Sequence, residues 1–181
     1  MKLSKNQVGK RYSKALYEVA EEQKSVEEML EDLKSLKQVY EENPSLSFAL
    51  VGRSISRTEK LKVLDTLKSQ FSELMQDFLS LVFDNGRMDC IIEIADAFIA
   101  KYDEANGIVE ATVTTTIDLA EAQEESLKSV IQKKFSVNKV NLTKIVDPTI
   151  IGGVIIRVGD QVVDGSVVKR FNDIKKTLLV N

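Results

Sequence analysis

The chain has no histidine, no tryptophan, one cysteine and two prolines. Lack of histidine removes the commonest metal ligand and the commonest general base at neutral pH. A single thiol, Cys90, cannot form an intrachain disulfide, which suits a reducing compartment. No apolar run approaches the roughly 18 residues that span a bilayer, and the first residues carry neither a signal-peptide apolar region nor a transit peptide. A phosphate loop is missing as well. Gly9-Lys10 comes nearest, but Arg11 stands where Ser or Thr is required and Ser4 where the first glycine is required. Gly152-Gly153 is not a dinucleotide-binding glycine pattern. Asp160 and Asp164 are a close carboxylate pair flanked by glycines, yet both occupy turn positions that favour aspartate. Neither acid–base chemistry nor a metal is read from them, and no cofactor is expected. An excess of positive charge is also lacking. The net charge of −3 argues against a dedicated nucleic-acid binder.

The 181 residues are 43% hydrophobic and 29% charged, enough for one large or two small packed domains. Residues 4–23 place Val8, Tyr12, Ala15, Leu16 and Val19 on one helical stripe. Ala15 is small, which fits either bundle packing or the close docking of another helix. Residues 25–43 form a second helix striped by Val26, Met29, Leu30, Leu33, Leu36 and Tyr40. Glu27, Glu28, Glu31 and Asp32 crowd its first half and read as a solvated face at the positive end of the helix dipole. Residues 44–51 make a short helix with Leu50 and either Leu46 or Phe48 inward. Ser56 and Glu59 have capping-box spacing and open a fourth helix carrying Leu61, Leu64, Leu67 and Phe71. Residues 72–84 are apolar nearly all round, so this helix is either surrounded or leaves a face for a partner. Asn85-Gly86 ends it. Residues 87–106 form a sixth helix with Ile91, Ile94, Ala95, Phe98 and Tyr102 inward. Cys90 lies close to that face, with no lysine or histidine placed to activate it.

Helical period gives way to strand period at Asn106-Gly107, dividing 1–105 from 106–181. Over 108–119, Val109, Ala111, Val113, Thr115 and Ile117 alternate with Glu110, Thr112, Thr114 and Thr116, as in a half-buried strand. Asp118 can cap a helix over 119–135 with Leu127, Val130, Ile131 and Phe135 inward, and 140–146 reads as a second strand. Asp147-Pro148 then opens a turn. Residues 150–158 are apolar and β-branched, a strand interrupted by Gly152-Gly153, which mark a bulge or a close backbone approach. Gly159-Asp160 is a hairpin turn into a short strand at 161–163. Asp164-Gly165-Ser166 turns the chain again, with Asp164 or Ser166 placed to cap a last helix. In that helix Val167, Phe171, Ile174 and Leu178 share a face, and Lys169, Arg170, Lys175 and Lys176 lie largely off it. The expected class is α+β: an N-terminal six-helix bundle, then a small α/β domain with a short mixed sheet and two helices.

Three stretches carry a resemblance. GGVIIRVGDQVVDGSV, fixed by Gly152, Gly153, Gly159, Asp160, Asp164, Gly165 and Ser166 and followed by the basic amphipathic helix, closely resembles the signature of the F-type ATP synthase delta-subunit family. The mitochondrial relative is called the oligomycin-sensitivity-conferring protein. RYSKALYEVA, over 11–20, resembles the family's first landmark: Arg11-Tyr12, a small residue, then Ala15-Leu16. Asn85-Gly86-Arg87 matches an Asn-x-Arg landmark, with capping and partner contact both open.

The resemblance implies a non-catalytic stator subunit, one copy per complex, without a cofactor. The helical bundle would sit on the catalytic head and bind the N-terminal segment of an alpha subunit. Arg11, Tyr12, Ala15, Leu16, Val19, Phe78, Leu81, Val82, Asn85 and Arg87 are the expected partner contacts. The C-terminal part would engage the end of the b-subunit coiled coil, so that proton flow is coupled to ATP synthesis. The expected place is the cytoplasmic face of a bacterial plasma membrane, held peripherally with no transmembrane segment of its own. Residues alone leave a second reading, a nucleic-acid- or phosphate-binding module using the basic C-terminal helix and Lys133-Lys134. The missing histidine, the absent phosphate loop and the mild acidity weigh against it.

Overall fold

Six helices come first: α1 (Lys5–Glu22), α2 (Val26–Glu42), α3 (Pro44–Val51), α4 (Arg57–Lys68), α5 (Glu73–Asp84) and α6 (Ile91–Asn106). The structure, a computed structural model, describes residues 3–52 and 55–179, with side chains as far as Lys175. The side chains of Lys176 and Leu178, assigned above to the two faces of the last helix, therefore lie outside the described residues. The chain divides into two compact units, Met1–Tyr102 and Asp103–Asn181.

Local chemistry starts these helices where it should. Ser4 Oγ accepts from the Gln7 N–H at 3.3 Å while Gln7 Oε1 accepts from the Ser4 N–H at 3.0 Å, a closed capping box. Ser56 and Glu59 make the same pair at 3.3 and 2.9 Å. Pro44 occupies the first turn of α3, where its missing N–H costs nothing. At the end of α5, the Gly86 N–H donates to Phe83 O at 2.9 Å and the Arg87 N–H to Val82 O at 3.0 Å. Gly86 holds φ +63°. This is a complete left-handed helix stop, and it accounts for Asn85-Gly86-Arg87 as a cap.

The first core is built from Leu33, Leu36, Met75, Leu79, Ile94, Ala95 and Phe98, none of which keeps exposed surface. Close crossing of α1 and α6 occurs at Gly9, where a Cβ would meet Glu93 O at 2.5 Å. One open alternative is settled here, and two expectations change. Phe48 is 77% exposed and Leu46 is half-buried, so Leu46 faces in. Phe71 lies past the end of α4 and is half-buried. Asp32 is not part of a solvated face. Its Oδ2 accepts from the Ser72 Oγ at 2.6 Å and the Ser72 N–H at 3.0 Å, tying α2 to the first turn of α5. Ser72 in turn accepts from the Met75 N–H at 3.4 Å.

The second unit contains β1 (Ile108–Thr115), α7 (Glu121–Phe135), β2 (Lys139–Val146), β3 (Val154–Val158), β4 (Gln161–Asp164) and α8 (Val167–Leu179). The sheet runs β2-β1-β3-β4. β1 and β2 are parallel, joined over α7, and β3 is antiparallel to both β1 and β4. Ala111, Val113, Val140 and Val158 face Ile131 of α7, forming a separate core.

Several boundaries differ from the sequence pattern. β1 stops at Thr115, whose hydroxyl donates to Ile117 O at 2.7 Å; the chain turns there and leaves Ile117 exposed. Asp118 is not the cap of α7. Ala120 holds that position, and Gln123 Oε1 accepts its N–H at 3.0 Å. Val130 points to solvent rather than inward. β3 begins only at Val154, because residues 150–153 make turns instead of extending the strand. Ile151 has φ +65° and ψ −35°, and Ile150 O accepts the Gly152 N–H at 2.8 Å across it. That is the rarer, strained form of the γ-turn, which a strand cannot contain.

Candidate partner-docking groove

Helices α1 and α5 leave a groove of about 230 Å³ between them. Tyr12, Ala15, Leu16 and Val19 line it from α1, and Leu74, Asp77, Phe78 and Leu81 from α5. Both sets fall at i, i+3, i+4 and i+7, the spacing that presents one face of a helix. Leu16 and Phe78 are buried and form the floor. Tyr12 meets Phe78 edge-on, with ring centroids 6.5 Å apart, a favoured aromatic geometry. Ala15, Val19 and Leu81 are exposed at the top, Leu81 by 54%. Covering a half-exposed leucine contributes about 1 kcal/mol. The lining is apolar apart from the Asp77 carboxylate and the Tyr12 hydroxyl.

The structure brings Tyr12, Ala15, Leu16, Val19, Phe78 and Leu81 together and separates the other expected contacts. Val82 is fully buried and faces the core, because it sits three and four residues from Leu79 and Phe78 on the inner face of α5. Asn85 Nδ2 donates to Leu81 O at 2.9 Å, so it serves the helix end. Arg87 is half-buried beyond that end, and Arg11 is exposed without lining the groove. Leu74 and Asp77 line the groove but were not among the expected contacts. Their signal was present: each lies one helical step before an apolar groove residue.

The glycine-bearing hairpin forms a second constellation. The Val167 N–H donates to Gly152 O at 2.9 Å, and the Gly165 N–H donates to Val154 O at 2.9 Å. Ser166 Oγ accepts the Lys169 N–H at 3.1 Å, so Ser166 is the cap of α8. Asp164 Oδ1 accepts the Ser166 N–H at 2.9 Å and shapes the turn before it. That bond, with Lys169 nearby, holds the Asp164 carboxyl below the usual range. Gly159, at φ +56°, and exposed Asp160 complete the β3–β4 turn. α8 exposes the apolar residues Val167, Phe171 and Ile174, with Phe171 66% exposed. A cleft of about 230 Å³ runs beside it, lined by Ile151, Val167, Val168, Phe171 and Asn172.

Among the described residues, no group of three or more metal-binding side chains occurs, and no helix is long and apolar enough to cross a membrane. Burial, then the neighbouring Asp89 carboxylate, pushes the Cys90 thiol up to about 11, which keeps it protonated and unreactive.

A family model described as ATP synthase delta (OSCP) subunit matches residues 8–178. The chain is 38% identical to the ATP synthase subunit delta of Limosilactobacillus reuteri over 179 residues, 99% of each chain. It is 37% identical to that of Lactiplantibacillus plantarum over 181 residues, 100% of each, and 35% identical to that of Enterococcus faecalis over 179 residues, 99% of each. A chain of the cryo-EM structure of the Toxoplasma gondii mitochondrial ATP synthase hexamer shares the fold, with a TM-score of 0.70 at 23% identity, over 94% of this chain and 97% of that one. Matched from α1 into α8, and from end to end of its bacterial relatives, the chain belongs to the ATP synthase delta (OSCP) subunit family.

Proposed function

We propose that this chain, a structural rather than catalytic subunit of the F-type ATP synthase, acts as the clamp between the catalytic head and the peripheral stalk. The first unit takes the N-terminal segment of an alpha subunit, as an amphipathic helix, into the α1–α5 groove. The second unit holds the end of the b-subunit coiled coil, using the exposed apolar face of α8 and the cleft beside Ile151. The head then cannot turn with the central rotor, and proton flow drives ATP synthesis. The chain works as one peripheral copy per complex on the cytoplasmic face of the membrane. Family membership sets aside the phosphate-binding reading of the basic last helix.

The observation that carries this reading is the groove itself. Two helices present matched i, i+3, i+4, i+7 apolar sets and leave Val19 and Leu81 uncovered. An amphipathic helix has the complementary shape. A stator contact has to outlast many turnovers under torque, so slow dissociation matters most. A buried area near the standard ~1,600 Å² reaches that when its anchors are well packed. The test is reconstitution. Membranes from the source cell, washed at low ionic strength, should lose ATP synthesis and regain it when the head is added back with this protein. Full recovery with the head alone would reject the reading.

A further inference from the structure

We propose that Asp77 selects the segment that docks between α1 and α5, by pairing with a lysine or arginine on the flank of that helix. The inference rests on the stator reading of the groove and names a property the partner must have. Asp77 is the carboxylate among the residues that line the groove, and it is exposed at its edge. Three other charged groups on these two helices are already paired or carry the same sign. Asp84, at the far end of α5, pairs with Arg57 at 3.1 Å. Lys14, on the outer face of α1, pairs with Glu18 at 3.9 Å. α5 reads ELMQDFLSLVFD, with no lysine or arginine, and Glu73 stands one turn before Asp77 on the same helix. Among the described residues Asp77 has no ion pair.

An apolar helix laid over Val19, Phe78 and Leu81 displaces water from one side of this carboxylate. A carboxylate stripped of water without a partner opposes docking. The occupant that fits therefore carries an apolar stripe to fill the groove and a cation beside the stripe. A segment with an acidic residue at that place is repelled. The acidic edge formed by Glu73 and Asp77 also draws a basic segment in during encounter, which speeds association more than it tightens binding. Apolar anchors thus hold the segment, and Asp77 sets which segment and which register.

The test uses the full chain and a synthetic peptide of the alpha-subunit N-terminal segment from the same complex, titrated by calorimetry at low and high salt. Asp77→Asn should weaken binding by about tenfold at low salt and flatten its salt dependence. Its thermal melt should match the wild type, since the side chain is exposed. Replacing each peptide lysine or arginine in turn with glutamate should find one position that costs affinity, and Asp77→Lys should restore binding of that peptide. Wild-type affinity and salt dependence in both Asp77 variants, with Ala15→Asp still abolishing binding, would overturn the charge contact and leave the groove intact. Absence of any binding by the wild type would overturn the groove reading and this inference with it.

Discussion

Gly153 stands with its backbone against the carbonyl of Gly165, so close that a Cβ on Gly153 would overlap that oxygen. Gly153 also holds φ +84°, a conformation that side chains disfavour. The contact joins the entry to β3 with the turn between β4 and α8. Hydrogen bonds from Gly165 to Val154 and from Val167 to Gly152 close it on both sides. Two separate reasons thus require glycine at one position, and they can be told apart. Gly153→Ala should destabilise the second unit by about 2–4 kcal/mol, from strain plus overlap. Gly159→Ala has the positive φ, +56°, but nothing within 4 Å of the added carbon, and should cost only about 1–2 kcal/mol. Urea melts with amide exchange read in β1 would measure both. Equal losses would show that the contact with Gly165 contributes nothing.

Ile151 is a β-branched residue at the centre of a strained γ-turn, and it is largely exposed. Such strain costs on the order of 1–3 kcal/mol, while glycine costs roughly 0.5–1 kcal/mol of extra chain entropy. Ile151→Gly should therefore raise the stability of the second unit by about 1 kcal/mol. It should also weaken capture of the b-subunit end, since the side chain lines the cleft beside Phe171. A lower melting temperature for this variant would show the turn to be unstrained.

Much of this fold was legible in the sequence, because hydrophobic period and capping chemistry are local. Leu33, Leu36, Ile94 and Phe98 announced themselves as inward, and Ser56 with Glu59 marked the start of α4. What escaped depends on contacts between distant segments. Asp32 looked like one more acid in a run, and only the position of Ser72 gives it a partner. Gly9 looked like a failed phosphate loop, yet its lack of a side chain is used by Glu93 of α6. Ile150 and Ile151 carried the β-branched pattern of a strand, but the backbone turns at Gly152-Gly153 overrode it. At the groove, Ala15 and Val19 could be placed on a helix face. Periodicity could not divide Val82, which packs inward, from Leu81 beside it, because α5 is apolar on both sides.

The Cys90 thiol sits in the first core and titrates near 11 when folded, against about 8.5 in an unfolded chain. Between those values the native state keeps a proton that the unfolded chain releases. Stability is therefore undiminished by this group below about pH 8.5 and falls as pH rises toward 11. Comparing the pH dependence of melts for the wild type and Cys90→Ala isolates this effect. The wild type should lose stability more steeply with pH. Parallel profiles would contradict the buried, protonated thiol. Native Cys90 should also resist alkylation near neutral pH and react promptly in denaturant.

The docking of an amphipathic alpha-subunit segment between α1 and α5 is the central claim, and amide and methyl chemical shifts of the labelled full chain test it most directly. Titration with the alpha N-terminal peptide should move the resonances of Tyr12, Ala15, Val19, Leu74, Phe78 and Leu81 and leave those of the second unit in place. Ala15→Asp, which puts a carboxylate on the apolar surface to be covered, should abolish those shifts while the rest of the spectrum stays folded. Saturable binding whose shifts fall outside α1 and α5, or that persists unchanged in Ala15→Asp, would contradict the assignment of this groove to the catalytic head.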